Sequence, residues 1–235
     1  MKQGRLSVGV LGTEPAGIAM AKALATAGHM VVAVSEDPMD AADALDALLP
    51  QAKKLSDEKI LEAADLVLLA LPAAEISATV SNLSEYWRSG QLVVHLAAEF
   101  DHEILGEAVA KGAIPLAIHP AMRFTGTSLD INRMKESFFA VSAPVVALPI
   151  AQALVIEMGA EPIVIDSKAR ASYAEAIEVA SNFSAMIVNQ AIGLLEQAGI
   201  ENPALVLAPV IESAVDQALS KGHRQIKPED LIGDS

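Results

Sequence analysis

The sequence predicts an α/β protein: a mostly parallel sheet covered on both faces, followed by a smaller all-helical part. Three observations predict it. Short apolar runs alternate with stretches of helical spacing as far as Asp166, the pattern of strands buried on both faces. A glycine-rich turn, Gly12 to Gly17, stands between the first run and the first helical stretch. Beyond Asp166 only helical spacing remains. The chain therefore divides near this point into residues 1–166, an α/β domain, and 167–235, a helical domain.

Each element has its own signal. Leu6 to Leu11 is a strand ending at Gly12. Pro15 to Ala27 is a helix, with proline in its first turn and Gly28 just past its end, the usual asymmetry of helix termini. Met30 to Val34 is a second strand, and Asp37 to Leu49 a helix stopped by Pro50. Asp57 to Ala64 is a short helix, Leu66 to Leu71 a buried strand, and Glu75 to Arg88 a helix ending before Gly90. Leu92 to Ala97 and Ile114 to Ile118 are strands separated by a helix from about Asp101 to Lys111. Phe138 to Val141 and Ile163 to Ile165 are two more strands, flanking a helix from about Pro144 to Met158. One helical stretch then runs from about Lys168 to Ala198, and a second from Pro203 to about Leu219.

Composition excludes several classes of function. The 235 residues are 52% apolar and carry a net charge of −14, which argues for a folded chain and against nucleic acid or an anionic membrane surface as partner. With no cysteine, disulfides, a thiolate metal site and a cysteine nucleophile are excluded, and no metal site is expected. No apolar window reaches the length of a membrane span, and the polar start, Met1 to Arg5, does not read as a secretory leader. A cytoplasmic protein is expected. The acidic residues between Glu36 and Asp65 read as a solvated helical face; a protein partner is the other reading.

Gly12-Thr13-Glu14-Pro15-Ala16-Gly17 lies where a dinucleotide fingerprint G-x-G-x-x-G belongs. Gly12 suits the tight turn and Gly17 the close packing of helix on strand. Glu14 replaces the middle glycine and sets a carboxylate at a helix N-terminus, where phosphates would bind. Three readings stand: Glu14 swings outward and NAD or NADP still binds, the fold persists with weakened binding, or another ligand uses the crevice. The second strand ends Ser35-Glu36-Asp37. An acid there can hold ribose hydroxyls and favour NAD, Ser35 can suit a 2′-phosphate, and Asp37 can equally cap the next helix.

Ligands of open α/β sheets bind beyond the carboxyl ends of the strands. Pro72, His95 and His119 fall there, with Arg123, Thr125 and Thr127 close behind. His119 can polarise a carbonyl or exchange a proton, Arg123 can hold a carboxylate, and the two threonines can add hydroxyl donors. The plainer readings are a structural turn at His119-Pro120 and a surface ion pair for Arg123. His95 sits among apolar residues, as a hydrogen-bonded core histidine would. Asn182 lies in a charge-free helical stretch, where a buried amide needs a partner, either another helix or a ligand.

These residues resemble the 6-phosphogluconate-dehydrogenase-like superfamily, and within it the Rossmann-like proteins carrying the DUF2520 domain. The matching pieces are Gly28-His29, Ala64 to Ala70, Gly90 to Leu96, His119 to Thr127, Tyr173, Ser181-Asn182 and Ala198 to Glu201. The resemblance implies an N-terminal Rossmann domain that binds NADP or NAD and a helical domain that dimerises. It also implies hydride transfer to or from a small keto or hydroxy acid, as in ketopantoate-reductase-like relatives, with Asn182 at the substrate. Gly12, Thr13, Gly17, Ser35, Glu36, Pro72 and His95 would then contact the cofactor. Arg123, Thr125 and Thr127 would contact the substrate, and His119 would act with Asn182 in catalysis.

The sequence departs from the family at Glu14, at Ala97-Ala98 where Ser-Gly is usual, at Ala174 where histidine often follows Tyr173, and at Glu178 where the wider superfamily places a lysine. Ending at Ser235, the helical part is expected to be shorter than in the family. The alternative to an enzyme is therefore a non-catalytic ligand-binding or regulatory protein on a degenerate dehydrogenase scaffold. A homodimer through the C-terminal helices is expected in both cases.

Overall fold

The computed structural model describes residues 5–36 and 42–222. Two compact units emerge, Met1–Ile177 and Glu178–Ser235.

The first unit is one eight-stranded sheet. Its strands are β1 (Ser7–Gly12), β2 (Met30–Ser35), β3 (Lys53–Leu55), β4 (Leu66–Ala70), β5 (Leu92–His95), β6 (Ile114–Pro120), β7 (Phe138–Ser142) and β8 (Glu161–Val164). They lie in the order β3-β2-β1-β4-β5-β6-β7-β8. All pairings are parallel except β6 with β7, where His119 faces Ala140 and Ala117 faces Ser142. Strand order reverses between β1 and β4, so the crevice of a doubly wound sheet opens at the carboxyl ends of these two strands.

Helices cover both faces: α1 (Pro15–Ala27), α2 (Ala42–Leu48), α3 (Asp57–Ala63), α4 (Ala73–Asn82), α5 (Gly106–Ala110), α6 (Leu129–Met134), α7 (Leu148–Glu157) and the start of α8 (Arg170–Glu178). Strand alternation sends Val8, Val10, Leu68, Val94, Leu116, Ile118, Phe139 and Val141 into one core layer. Val67, Leu69 and Val93 enter the other, with Ile60, Ile76, Val80 and Trp87 from the covering segments. β4 is buried at all five positions, as an uninterrupted apolar run should be.

Two elements escape the apolar pattern. β3 is Lys-Lys-Leu, an edge strand whose exposed lysines discourage further pairing. α6 is six residues long, too short for periodicity to reveal. The expected helix over residues 144–158 begins only at Leu148, with Pro149 in its first turn. That expected over 101–111 is a 3-10 turn, His102–Leu105, leading into α5. Helix α4 stops at Asn82, and a 3-10 turn at Ser84–Tyr86 follows. The expectation for Asp37 to Leu49 reduces to α2, and Asp37 itself lies outside the described residues.

In the second unit the predicted 31-residue helical stretch is interrupted. A π turn, Val179–Phe183, separates α8 from α9 (Ser184–Gln197), and α10 (Pro203–Lys221) follows. No described residue of α9 or α10 is buried. Phe183, Met186, Ile187, Leu194, Leu205 and Val210 are all more than half exposed. Among the described residues, no helix is long and apolar enough to cross a membrane.

Candidate active site

The turn after β1 keeps the geometry of a dinucleotide-binding unit, for reasons internal to the fold. Gly12 has φ +87°, and a Cβ there would sit 2.2 Å from the Ala70 carbonyl oxygen. On α1, a Cβ at Gly17 would sit 2.3 Å from the Ala70 side chain. Both glycines are required by β4 before any ligand is considered. Glu14 adopts φ −55°, ψ 131°, ordinary for any residue, and its side chain is exposed.

The amides of the turn are partly committed. Glu14 donates its N–H to the Ala70 carbonyl (2.9 Å), Gly12 donates to the Ser35 hydroxyl (2.9 Å), and Pro15 has no N–H. Ser35 in turn donates to Asp57 Oδ1 (3.0 Å). Its hydroxyl therefore ties β1 to α3, and its proton is not offered to a ribose or phosphate. Glu36 is exposed beside it, its N–H bonded to the Leu55 carbonyl (2.8 Å). Pro72 caps α4 directly after β4. A dinucleotide fits this crevice. Gly12, Thr13 and Gly17 would lie along it, Glu36 would reach the ribose and Pro72 would flank the far half. Glu14 sets an exposed carboxylate at the N-terminus of α1, where a like charge opposes phosphate.

Farther along the sheet edge lies a polar cluster on the face opposite α1. His119, next to last in β6, is half-buried, and its Nδ1 is 2.7 Å from the Tyr173 hydroxyl. The rings meet edge to face, centroids 5.5 Å apart. Burial, reinforced by the nearby Arg170 charge, pulls His119 down to about 4. Burial pushes Tyr173 up to about 12, with Arg170 opposing. Both groups are neutral near pH 7.

Arg170 is 2% exposed. Its Nη2 donates to Ser142 Oγ (2.9 Å), and Ser142 donates to Asp101 Oδ1 (2.5 Å). Asp101 also accepts from the His102 backbone and ring and from the Ser167 hydroxyl. Burial raises the Asp101 carboxyl, but the bonds from Ser142 and His102 outweigh it and hold the group below the ordinary carboxylate range. Asp101 is the counterion of a buried guanidinium. Burial lowers Arg170, and Asp101 opposes that shift.

The structure places five of the predicted site residues as follows. His95 ends β5 with 0% exposure, and Nε2 donates to the Asp101 carbonyl (3.1 Å), as a core histidine does. Thr125 donates to Asp130 Oδ1 (2.9 Å) and Thr127 lies 2.9 Å from Thr125 Oγ1. With the Thr125 proton committed, Thr127 must donate to Thr125, so neither hydroxyl proton is available to a substrate. Asn182 is exposed, not buried; it lies in the π turn of the second unit, its Nδ2 3.5 Å from Glu178 Oε1. Arg123 is exposed on the loop after β6 and is engaged in an interaction of its own.

Three residues of the cluster carry no sequence signal. Arg170 and Asp101 are polar residues beside helical turns, which ordinarily face water, and Ser142 ends an unremarkable strand. Asp130 likewise reads as a surface acid, yet it is fully buried and accepts from the amides of Thr125, Gly126 and Thr127.

His95 gives the molecule a pH response. Burial holds it at about 4 against an ordinary 6.5, so between these values the unfolded chain binds a proton that the folded chain does not. Stability is therefore full above pH 6.5 and falls as pH drops toward 4, by on the order of 3 kcal/mol. Urea midpoints measured across this window should fall with pH; His119, also held at about 4, adds a similar response, so His95→Gln should remove about half of the slope.

Comparison with known proteins agrees with this architecture. Residues 1–120 match the model of the Rossmann-like domain, and residues 137–227 match the domain of unknown function DUF2520. The chain belongs to the Rossmann-like family that carries this second domain. No curated protein matches it. Among solved structures it is similar to a candidate NADP oxidoreductase from Bacteroides fragilis, with 21% identity and TM-score 0.76 over 97% of this chain and 89% of that one. It is also similar to 1-pyrroline-5-carboxylate reductase from Streptococcus pyogenes, with 16% identity and TM-score 0.68 over 97% and 84%. A third similar structure is an NADH-preferring ketol-acid reductoisomerase from an uncultured archaeon, with 16% identity and TM-score 0.69 over 92% and 70%. At these identities the likeness is one of fold.

Proposed function

We propose that the protein is a cytoplasmic, nicotinamide-dependent oxidoreductase acting on a small keto or hydroxy acid of ketopantoate-like size. The observation that carries this reading is the His119–Tyr173 pair. It stands at the carboxyl end of β6, half-buried and neutral, and could manage the proton that accompanies hydride transfer. Bound NAD or NADP would supply or accept the hydride. The chain's own part is to hold the adenine half along Gly12, Thr13, Gly17 and Glu36, to hold a substrate carboxylate through Arg123, and to manage the proton at His119. The carboxylate of Glu36 favours NAD. Asn182 keeps its role at the substrate oxygen on the resemblance alone. Solved structures of similar fold come from enzymes that use such cofactors, which supports the reading.

Titration with NADH and NADPH tests it. Binding at or below millimolar concentration is expected; no binding by either at millimolar concentration would overturn it. A non-catalytic ligand-binding protein on the same scaffold is the second reading, favoured by the exposed Glu14 carboxylate and by the committed amides of Gly12 and Glu14.

We also propose that a second copy of the chain covers α9 and α10. Two helices without a buried side chain have no core of their own, and closed homodimers are the commonest way to supply one. Sedimentation should show a dimer at micromolar concentration, and Ile187→Asp combined with Leu194→Asp should dissociate it.

A further inference from the structure

We propose that Tyr173 is the acid of this site and that Arg170 is the positioning residue that stabilises its ionised form. This rests on the oxidoreductase reading for its purpose, but not for its test.

The geometry carries the proposal. Arg170 and Tyr173 lie three residues apart on the first turn of α8, on the same side of the helix. Arg170 reaches Ser142 of β7. Ser142 lies opposite Ala117 of β6, and strand alternation sets Ala117, His119 and Ser142 on one face of the sheet. The guanidinium is thus laid against the face that carries the His119 ring, while the Tyr173 hydroxyl lies 2.7 Å from His119 Nδ1. A full positive charge is buried beside two groups that are themselves neutral.

The cluster has few other charges. Among the described residues the carboxylate acting on Arg170 is Asp101, whose oxygens are taken up by Ser142, Ser167 and His102. His95, beneath the same turn, is neutral. Arg170 Nε has no hydrogen-bond partner among the described residues.

A cation in that position disfavours imidazolium at His119 and favours tyrosinate at Tyr173. A neutral imidazole is a far weaker acid than a phenol, so the phenol is the group able to release a proton. The transfer balances without any charged histidine. The Tyr173 O–H proton passes to the substrate oxygen that becomes a hydroxyl, matching the hydride delivered by a nicotinamide. His119 then returns its Nδ1 proton to the phenolate, and its Nε2 takes up from solvent the one proton that the reduction consumes. The ring ends neutral with its proton on the other nitrogen.

The test needs neither cofactor nor substrate. The chain has two tyrosines, so in a Tyr86→Phe background 3-fluorotyrosine labels Tyr173 alone, and fluorine NMR reads its ionisation. Arg170→Gln is expected to raise the Tyr173 midpoint by about one pH unit or more, and Arg170→Lys to leave it near the parent value. A midpoint unchanged in Arg170→Gln overturns the proposal. Should Arg170→Gln not fold, Ser142→Ala releases the guanidinium from its anchor; a smaller upward shift is expected, and no shift overturns the proposal equally. Nucleotide titration of the same samples reports separately on the oxidoreductase reading, so either can fail while the other stands.

Discussion

Gly12→Ala is expected to lower stability by roughly 3 kcal/mol or more. The left-handed conformation at Gly12, φ +87°, costs a residue with a side chain about 1–2 kcal/mol. The new methyl would also meet the Ala70 carbonyl oxygen at 2.2 Å, and overpacking of this kind costs about 1–3 kcal/mol. The backbone oxygen of a central strand cannot step aside, because β4 is hydrogen-bonded on both edges. Gly126 supplies the comparison: it has φ +74° but open space around its Cα, so Gly126→Ala should cost only the conformational part, about 1 kcal/mol. Urea unfolding of the two variants separates strain from collision. Equal losses would mean that the turn can shift away from β4.

Glu14→Gly is expected to tighten nucleotide binding about five- to tenfold at low salt. The carboxylate is exposed at the N-terminus of α1, where the aligned helix amides favour anions. A like charge within a few ångströms of a phosphate, in surroundings close to water, costs on the order of 1 kcal/mol, which is about a fivefold change in affinity. Glu14→Gln removes the charge and keeps the bulk, so it should recover most of the gain, and the gain should shrink as salt rises. Calorimetry with NADH and NADPH at two ionic strengths checks all three statements. If neither variant moves the affinity, the carboxylate is too far out to matter and the committed amides of the turn set the binding.

Much of the fold was legible because its signals are local. The strand runs, the proline and glycine at the ends of α1, and the all-buried β4 follow from hydrophobic period and turn chemistry. What stayed hidden depends on distant partners. Lys53 and Lys54 form an edge strand only because β2 offers a free side. Arg170 is buried only because Ser142 and Asp101, both remote in sequence, converge on it. The candidate site was legible at His119 and Gly12, whose positions at strand ends follow from topology. At Thr125 and Thr127 the hydroxyl protons go to Asp130, five residues after Thr125, and to Thr125 itself, partners that spacing does not announce. At Ser35 the hydroxyl proton goes likewise to Asp57.

Several pieces that carried the family resemblance prove to hold the fold together. Asp65 binds the Ser7 hydroxyl and backbone across β1 and β4, and these bonds hold its carboxyl below the ordinary range. Gln91 donates to the carbonyls of Leu61 and Ala64 (2.8 Å each) at the end of α3. His29 accepts from the Leu6 amide at Nδ1 (3.1 Å), which leaves Nε2 to donate to Glu157 (2.7 Å). Such residues mark a lineage through its architecture, which is why they speak clearly about the fold and little about the substrate.

The bare surfaces of α9 and α10 have a consequence for how the molecule behaves when diluted. Covered by a second copy as proposed above, the two helices would be a segment stabilised by mass action. Its melting temperature should then climb with protein concentration, while the α/β unit, with two closed core layers, should melt at a temperature independent of it. At low abundance the helices would loosen first, and the length of time they stay folded would be set by encounters between molecules.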